Sequence, residues 1–336
     1  MSKILTNENL NMRAAKTSLI AGIIIFAIKF SAYLVTDSTA IFSDAAESII
    51  NIVAAAVALY SIIISSKPAD QDHPYGHGKI EYFSAGFEGF LIALAGLVII
   101  YSGIEKIITG AGPSQLGIGI LLLVASSGAN LILALYLAKV GKKTNSLTLI
   151  ADAKHILTDV YTSGGIIVGL GVVLLTNIPV FDPIIAIIVA LNILYTGYKL
   201  VRESIGGLMN EVDLKTMNLI TEKIIDIRKP EWIDIHELRF WKSANHVFID
   251  FHLILPFYFT IVEAHKSDEL VVAEMEKILP GSQVKIHLDY CDFELCKYCQ
   301  YAICEQRKEI LTESSEWDSE RITGIGLRKL NGLIEP

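Results

Sequence analysis

Asp152, His155 and Asp159 recur at intervals of three and four residues within the stretch 150 to 163. A helix of 3.6 residues per turn stacks them on one face. Their flanks are apolar, and a charged group at bilayer depth costs about 2.5 to 3.5 kcal/mol on insertion scales. A second stripe answers the first: Asp44, Glu47 and Asn51 lie at the same spacing inside the apolar stretch 38 to 66. Glu47, Asn51, His155 and Asp159 together offer carboxylate, amide and imidazole ligands for one divalent metal held between two membrane helices. Oxygen and nitrogen ligands at about 2.0 to 2.2 Å suit a four-coordinate zinc. Two carboxylates balance the ion's charge, and an imidazole that ordinarily titrates near 6.5 exchanges a proton for a metal around neutral pH. Asp44 and Asp152, one turn away, are assigned to water or to Lys154 rather than to the ion.

Long apolar helices must position these groups. Apolar residues make up 52% of the chain and charged ones 19%, with the apolar share concentrated before residue 206. A span needs about 20 mainly apolar residues. Six segments qualify: roughly 15 to 36, 39 to 66, 83 to 109, 115 to 140, 147 to 176 and 179 to 204. Lys3, Arg13, Lys16, Lys67, Lys79, Lys139, Lys142, Lys143, Lys199 and Arg202 gather on one side, and the loops near Thr36, Gly112 and Asn177 carry almost no basic charge. The bias places both termini in the cytoplasm. Gly22, Gly86, Gly89, Gly96, Gly164 and Gly165 read as close helix contacts. Lys29, Glu105 and Lys106 read as end groups that reach the interface. The N-terminus up to Arg13 is polar and leads into a full-length apolar helix, so no signal peptide is expected.

The formal net charge of -8 divides unevenly, basic residues at the membrane edges and an acidic excess in the second half. That distribution argues against nucleic acid as a partner. After Arg202 the periodicity changes to helix 213 to 228, strand 234 to 242, strand 246 to 255, helix 260 to 279 and strand 282 to 289. This αββαβ order predicts an α+β ferredoxin-like domain with an open face. The chain thus reads as a six-span all-α membrane domain (1 to 206), a cytoplasmic domain (207 to 290) and a tail (291 to 336).

Three further groups have ligand chemistry. Asp70, His73 and His77 lie in a Gly- and Pro-shaped loop, either as a surface metal site or as a solvated turn. His236, His252, His265 and His287 with Asp289 are spread over the strands and second helix of the cytoplasmic domain. All four cysteines, Cys291, Cys296, Cys299 and Cys304, fall within fourteen residues of the tail. No disulfide framework is expected there. A tetrahedral thiolate site, reduced packing thiols, or one cysteine joined to His287 and Asp289 all remain open. Residues 305 to 336 mix charge with weak periodicity and are assigned no function.

Three motifs carry a family likeness: Ser43-Asp-Ala-Ala-Glu47-Ser-Ile-Ile-Asn51, His73-Pro-Tyr-Gly-His77-Gly-Lys79 and Ala151-Asp-Ala-Lys-His155-Ile-Leu-Thr-Asp159. On these the sequence resembles the cation diffusion facilitators over about residues 12 to 291. The resemblance implies a homodimeric, proton-coupled exporter of divalent metal in the cell (inner) membrane. It places Glu47, Asn51, His155 and Asp159 at the family's transport site and Asp70, His73 and His77 at its loop site. His236, His252, His265, His287 and Asp289 fall at a binuclear site of the cytoplasmic domain. Zinc-carrying members commonly have Asp or His where Glu47 and Asn51 stand here, a departure from that pattern, but His155 is retained, so zinc is the first choice of cargo, with iron(II), cobalt or manganese behind it. A metal-gated channel and a membrane metal sensor are the alternatives. A dehydrating quartet holds its ion too firmly for rapid conduction, and a sensor leaves the intramembrane stripes unexplained. Without a His-Glu-x-x-His helix or an open coordination position, no enzyme is expected.

Overall fold

The computed structural model describes residues 2–36, 39–109, 118–176, 180–244, 246–313 and 316–324, the side chains at 35–47 and 166–174 among those outside the description. Two compact units result, Met1–Met209 and, the hairpin turn at 243–245 apart, Asn210–Pro336.

The first unit is six long helices: α1 (Ser2–Thr36), α2 (Thr39–Ser65), α3 (Ile80–Thr109), α4 (Ile118–Thr144), α5 (Leu147–Thr176) and α6 (Phe181–Leu208). Each covers all or nearly all of one expected apolar segment, with 115–117 and 179 outside the described residues, and α1 also takes in the polar N-terminal residues. Among the described residues, five helices are long and apolar enough to cross a membrane. The first half of α5 carries Asp152, Lys154 and Asp159, and the side chains of its second half from 166 to 174 lie outside the described residues. Apolar side chains such as Ile24, Leu97, Ile132 and Ile188 face outward, as a lipid-facing surface requires.

Helix α5 sits at the centre. One apolar cluster joins Ala14, Ile62, Leu137, Leu149 and Ile156 from α1, α2, α4 and α5, and a second joins Ala85, Ile92, Ala151, Ile193 and Leu200 from α3, α5 and α6. The closest approach is between α3 and α6. A Cβ on Gly197 would stand 2.8 Å from the backbone N of Ala93 and 2.8 Å from Gly89 O, so only hydrogen fits there. Gly86, Gly89, Gly96 and Gly103 line the same seam against Ser204, Val201, Leu194 and Ile187. Nothing lies within 4 Å of where a Gly164 Cβ would be, so that glycine does not serve a contact. Lys29 is 8% exposed, not the interfacial end group expected, because α1 continues past it to Thr36.

In the second unit the order is α7 (Leu214–Asp226), β1 (Asp234–Ser243), β2 (His246–Leu255), α8 (Ile261–Ile278) and β3 (Gln283–Tyr290), the αββαβ arrangement read from the sequence. Asp213 caps α7 through the Lys215 amide. Thr260 and Glu263 cap α8 reciprocally, the Ser/Thr-x-x-Glu signature of a helix start. The sheet order is β1-β2-β3, with β2 and β3 parallel and His252 opposite His287. Met217, Ile220, Ile224, Val271 and Met275 from the helices pack on Ile235, Phe251, Leu253 and Leu255. Successive strand residues face opposite ways, so Ile254 belongs to a second cluster, with Ile233, Leu295, Tyr298 and Cys299. The expected open face is therefore covered in part by residues after β3. Further along, Trp317 and Ile322 join the main core. The Arg228 guanidinium stacks 4.0 Å over Trp317, Arg321 pairs with Asp234, and the Glu237 amide donates to Gly324 O at 2.8 Å. The stretch after 305, given no role from sequence, is thus part of the domain's packing.

Candidate metal sites

Helices α2 and α5 bring three members of the intramembrane quartet into contact. His155 Nε2 lies 3.0 Å from Asn51 Oδ1, and Asn51 Nδ2 donates to Asp159 Oδ2. The side chain of Glu47 is outside the described residues; the helix backbone places it one turn before Asn51. An amide oxygen only accepts, so in this arrangement Nε2 carries the imidazole proton. His155 Nδ1 is buried and makes no hydrogen bond. Nδ1 can therefore take a proton as Nε2 gives one up, and the resulting neutral tautomer turns the Nε2 lone pair toward Asn51 and Asp159. A cavity of about 10 Å³ between Ser18, Ser48, Asn51 and Asn130 adjoins this point.

Sequence reasoning assigned Asp152 to water or Lys154. Lys154 instead pairs with Glu203 of α6 at 3.4 Å, and Asp152 is buried within electrostatic reach of Glu88 on α3. Glu88 is fully buried, with Ser84 of its own helix as its near polar neighbour among the described residues. The sequence reading missed it: Glu88 has no acid, amide or imidazole three or four residues away on its own helix. Glu81, at the start of α3, accepts from Ser65 of α2 at 3.2 Å and from Ser146 before α5 at 2.7 Å, tying three helices together beside the loop.

The loop between α2 and α3 folds around Asp70. Its carboxylate accepts from the His73 amide at 2.7 Å and the Asp72 amide at 3.1 Å, and lies 3.2 Å from His73 Nδ1 and 3.3 Å from His77 Nε2. The His73 amide is the main reason its carboxyl stays below the usual carboxylate range, with the two histidines adding to that. Gly76, with φ of +80°, permits the tight turn that returns His77 to the carboxylate. The ligand atoms of Asp70, His73 and His77 lie within 4.8 Å of one another.

The parallel pairing of β2 with β3 builds the cytoplasmic cluster. Ligand atoms of His236, His252 and Asp289 lie within 4.8 Å of one another. His252 Nδ1 is 2.9 Å from Asp289 Oδ2, and His287 Nε2 is 3.4 Å from the other Asp289 oxygen. The His252 ring stands 5.0 Å from that of His236 and 4.6 Å from that of His287. Behind them, Asp234 lies 3.1 Å from His236 Nδ1, an orienting carboxylate of the kind metal-bound imidazoles use. His265 is not brought to this group. It is exposed on α8, beside Asp268 and Glu269 of its own helix. All four tail cysteines are free thiols and line one small cavity.

Comparison with known proteins adds the lineage. The cation efflux transmembrane domain matches residues 15–209, and the cytoplasmic domain of cation efflux proteins matches residues 213–291. An uncharacterized transporter of Synechocystis, sll1263, is 34% identical over 276 residues, 82% of this chain and 89% of its own. The cation-efflux pump FieF of Citrobacter koseri is 29% identical over 289 residues, 85% of this chain and 95% of its own. FieF of Escherichia coli is 28% identical over 282 residues, covering 83% and 92%.

Proposed function

We propose, for a chain that belongs to the cation efflux family, proton-coupled export of a divalent transition-metal ion, with zinc as first cargo and iron(II), cobalt or manganese behind it. The chain is an integral membrane transporter rather than an enzyme, and its cytoplasmic domain belongs to a dimer-forming class. The observation that carries the finer reading is the Asn51 amide, which links His155 on α5 to Asp159 on the same helix from across α2. Its oxygen, the imidazole Nε2 and the Asp159 carboxylate already converge, and Glu47 follows the same face of α2.

Exchange follows from which groups carry protons. A metal takes the His155 Nε2 lone pair only when the ring is neutral with its proton on Nδ1, so a doubly protonated ring must first lose its Nε2 proton, and it takes the carboxylates only in their ionised form. Protons arriving from one side therefore expel the metal, and metal arriving from the other expels protons. With both termini cytoplasmic, as the basic loops favour, the Asp70 loop lies on the cytoplasmic side and can gather ions there. The His236, His252, His287 and Asp289 group sits in the soluble domain, where it regulates or holds the dimer instead of carrying ions.

The test is metal flux into proteoliposomes for zinc, iron(II), cobalt and manganese, with and without an imposed pH gradient. Antiport gives flux that the gradient drives and that Asp159→Ala removes at least tenfold, ~1.4 kcal/mol or more of lost binding. Flux indifferent to the gradient supports a channel and rejects this reading.

A further inference from the structure

We propose that the tail holds a structural tetrathiolate site for a thiophilic divalent ion, zinc foremost, made by Cys291, Cys296, Cys299 and Cys304. Three of these four residues lie beyond both matched family domains. It is separate from the transport quartet and does not depend on that reading.

Four cysteines line a single cavity of about 10 Å³, which they share with Ile233, Pro256 and Arg307 among others. A water-sized space of that kind holds one ion. The backbone is bent to put them there. Cys291 leaves β3 with its amide bonded to Leu255 O at 2.8 Å. A short 3-10 helix, Phe293–Tyr298, capped by Asp292, then presents Cys296. The Cys299 amide donates back to Cys296 O at 3.2 Å, closing the Cys-x-x-Cys turn, and the Cys304 amide donates to Tyr301 O at 3.3 Å, closing a second. Arg307 binds both turns, its guanidinium donating to the carbonyls of Cys296 at 3.0 Å, Cys299 at 2.8 Å and Tyr301 at 3.0 Å. One arginine spent on three backbone carbonyls of one loop fixes where the sulfurs point.

The chemistry of the pocket asks for a cation. Four thiols facing one small space cannot all ionise without a counter-charge, whereas a dication deprotonates its ligands outright and supplies that charge. Arg307, within electrostatic reach of Cys299, offsets part of the negative charge that a dication with four thiolates retains. Packing alone accounts for Cys299, which belongs to the cluster of Ile233, Ile254, Leu295 and Tyr298. Cys291 packs against the same cluster, but packing there does not account for the half-buried Cys304 turning to the same space. Among the described residues, the two ligand groups already gathered within 4.8 Å lie elsewhere in the chain. Here the sulfurs stand wider than in a loaded tetrahedron, and binding draws them together.

The experiment uses the full chain in detergent, purified under reducing conditions. Cobalt(II) added to the metal-free protein is expected to give the intense thiolate-to-metal absorption and tetrahedral visible bands of a four-sulfur site, and zinc is expected to remove them. Cys296→Ser with Cys299→Ser loses those bands and about one bound zinc per chain by mass spectrometry. Asp159→Ala keeps them, so failure of the transport reading is seen separately. The wild-type spectrum decides the matter even where the double variant folds poorly. Absence of thiolate bands in the wild type, or four thiols that react with a disulfide reagent equally fast with and without zinc, overturns the proposal. So does finding the cysteines paired as disulfides.

Discussion

At the residue scale the unusual member of the transport quartet is Asn51. It is the hinge of the contact seen here, acceptor toward His155 and donor toward Asp159. A carboxylate at that position keeps the acceptor, removes the donor and adds a negative charge beside the ion. Asn51→Asp is therefore expected to tighten zinc binding roughly tenfold at neutral pH and to make that binding fall more steeply with acid. A competition series among zinc, cobalt and manganese measures both effects; a series identical to wild type means Asn51 is no ligand. The contact among Asn51, His155 and Asp159 was foreshadowed in the sequence by polar residues repeating at helical spacing within apolar runs. Glu88 was not, because its neighbour Asp152 lies on another helix and no spacing rule connects them. His265, which ligand type and family position put with the cytoplasmic histidines, lies beside Asp268 and Glu269 of its own helix.

At the scale of elements the transport helices depend on a seam they do not form. α3 and α6 approach so closely that the backbone of one takes the place of side chains on the other, with Gly197 set against Ala93 N and Gly89 O. Backbone atoms cannot rotate away as a side-chain tip can. Gly197→Val is expected to cost about 2 kcal/mol through overpacking and to lower the melting temperature in detergent by several degrees. Gly164→Ala, introduced where nothing lies within 4 Å, is the control and leaves it near wild type. Equal melting temperatures for the two variants would show that the helices part without penalty. Glycine spacing foretold a contact but not its partner, which is why Gly164 and Gly96 looked alike in the sequence. Strand β2 was read to its ends, His246 to Leu255, because alternating burial has a period. The packing of Trp317 and Ile322 has none, and was visible only once the chain had folded.

At the scale of the whole molecule, a cytoplasmic domain of a dimer-forming class carries a cluster of ligand-type side chains of its own. A metal bound there favours whichever arrangement of domains completes its shell, and the gain is set by its difference in affinity between arrangements. His252 bridges the cluster, 2.9 Å from Asp289 and stacked between the rings of His236 and His287. Replacing His252 and His287 together with Ala removes two ligands while leaving Asp289 in place. Dimerisation measured by sedimentation should then lose its dependence on zinc, whereas in wild type chelation weakens the dimer. Bound zinc should fall without loss of the tail thiolate bands or of the intramembrane site, because those depend on other side chains. If the double variant binds as much zinc as wild type, the cluster holds no ion. If it loses zinc yet dimerises with unchanged zinc dependence, the ion is held but does not join the subunits, and the dimer rests on surfaces that need no metal.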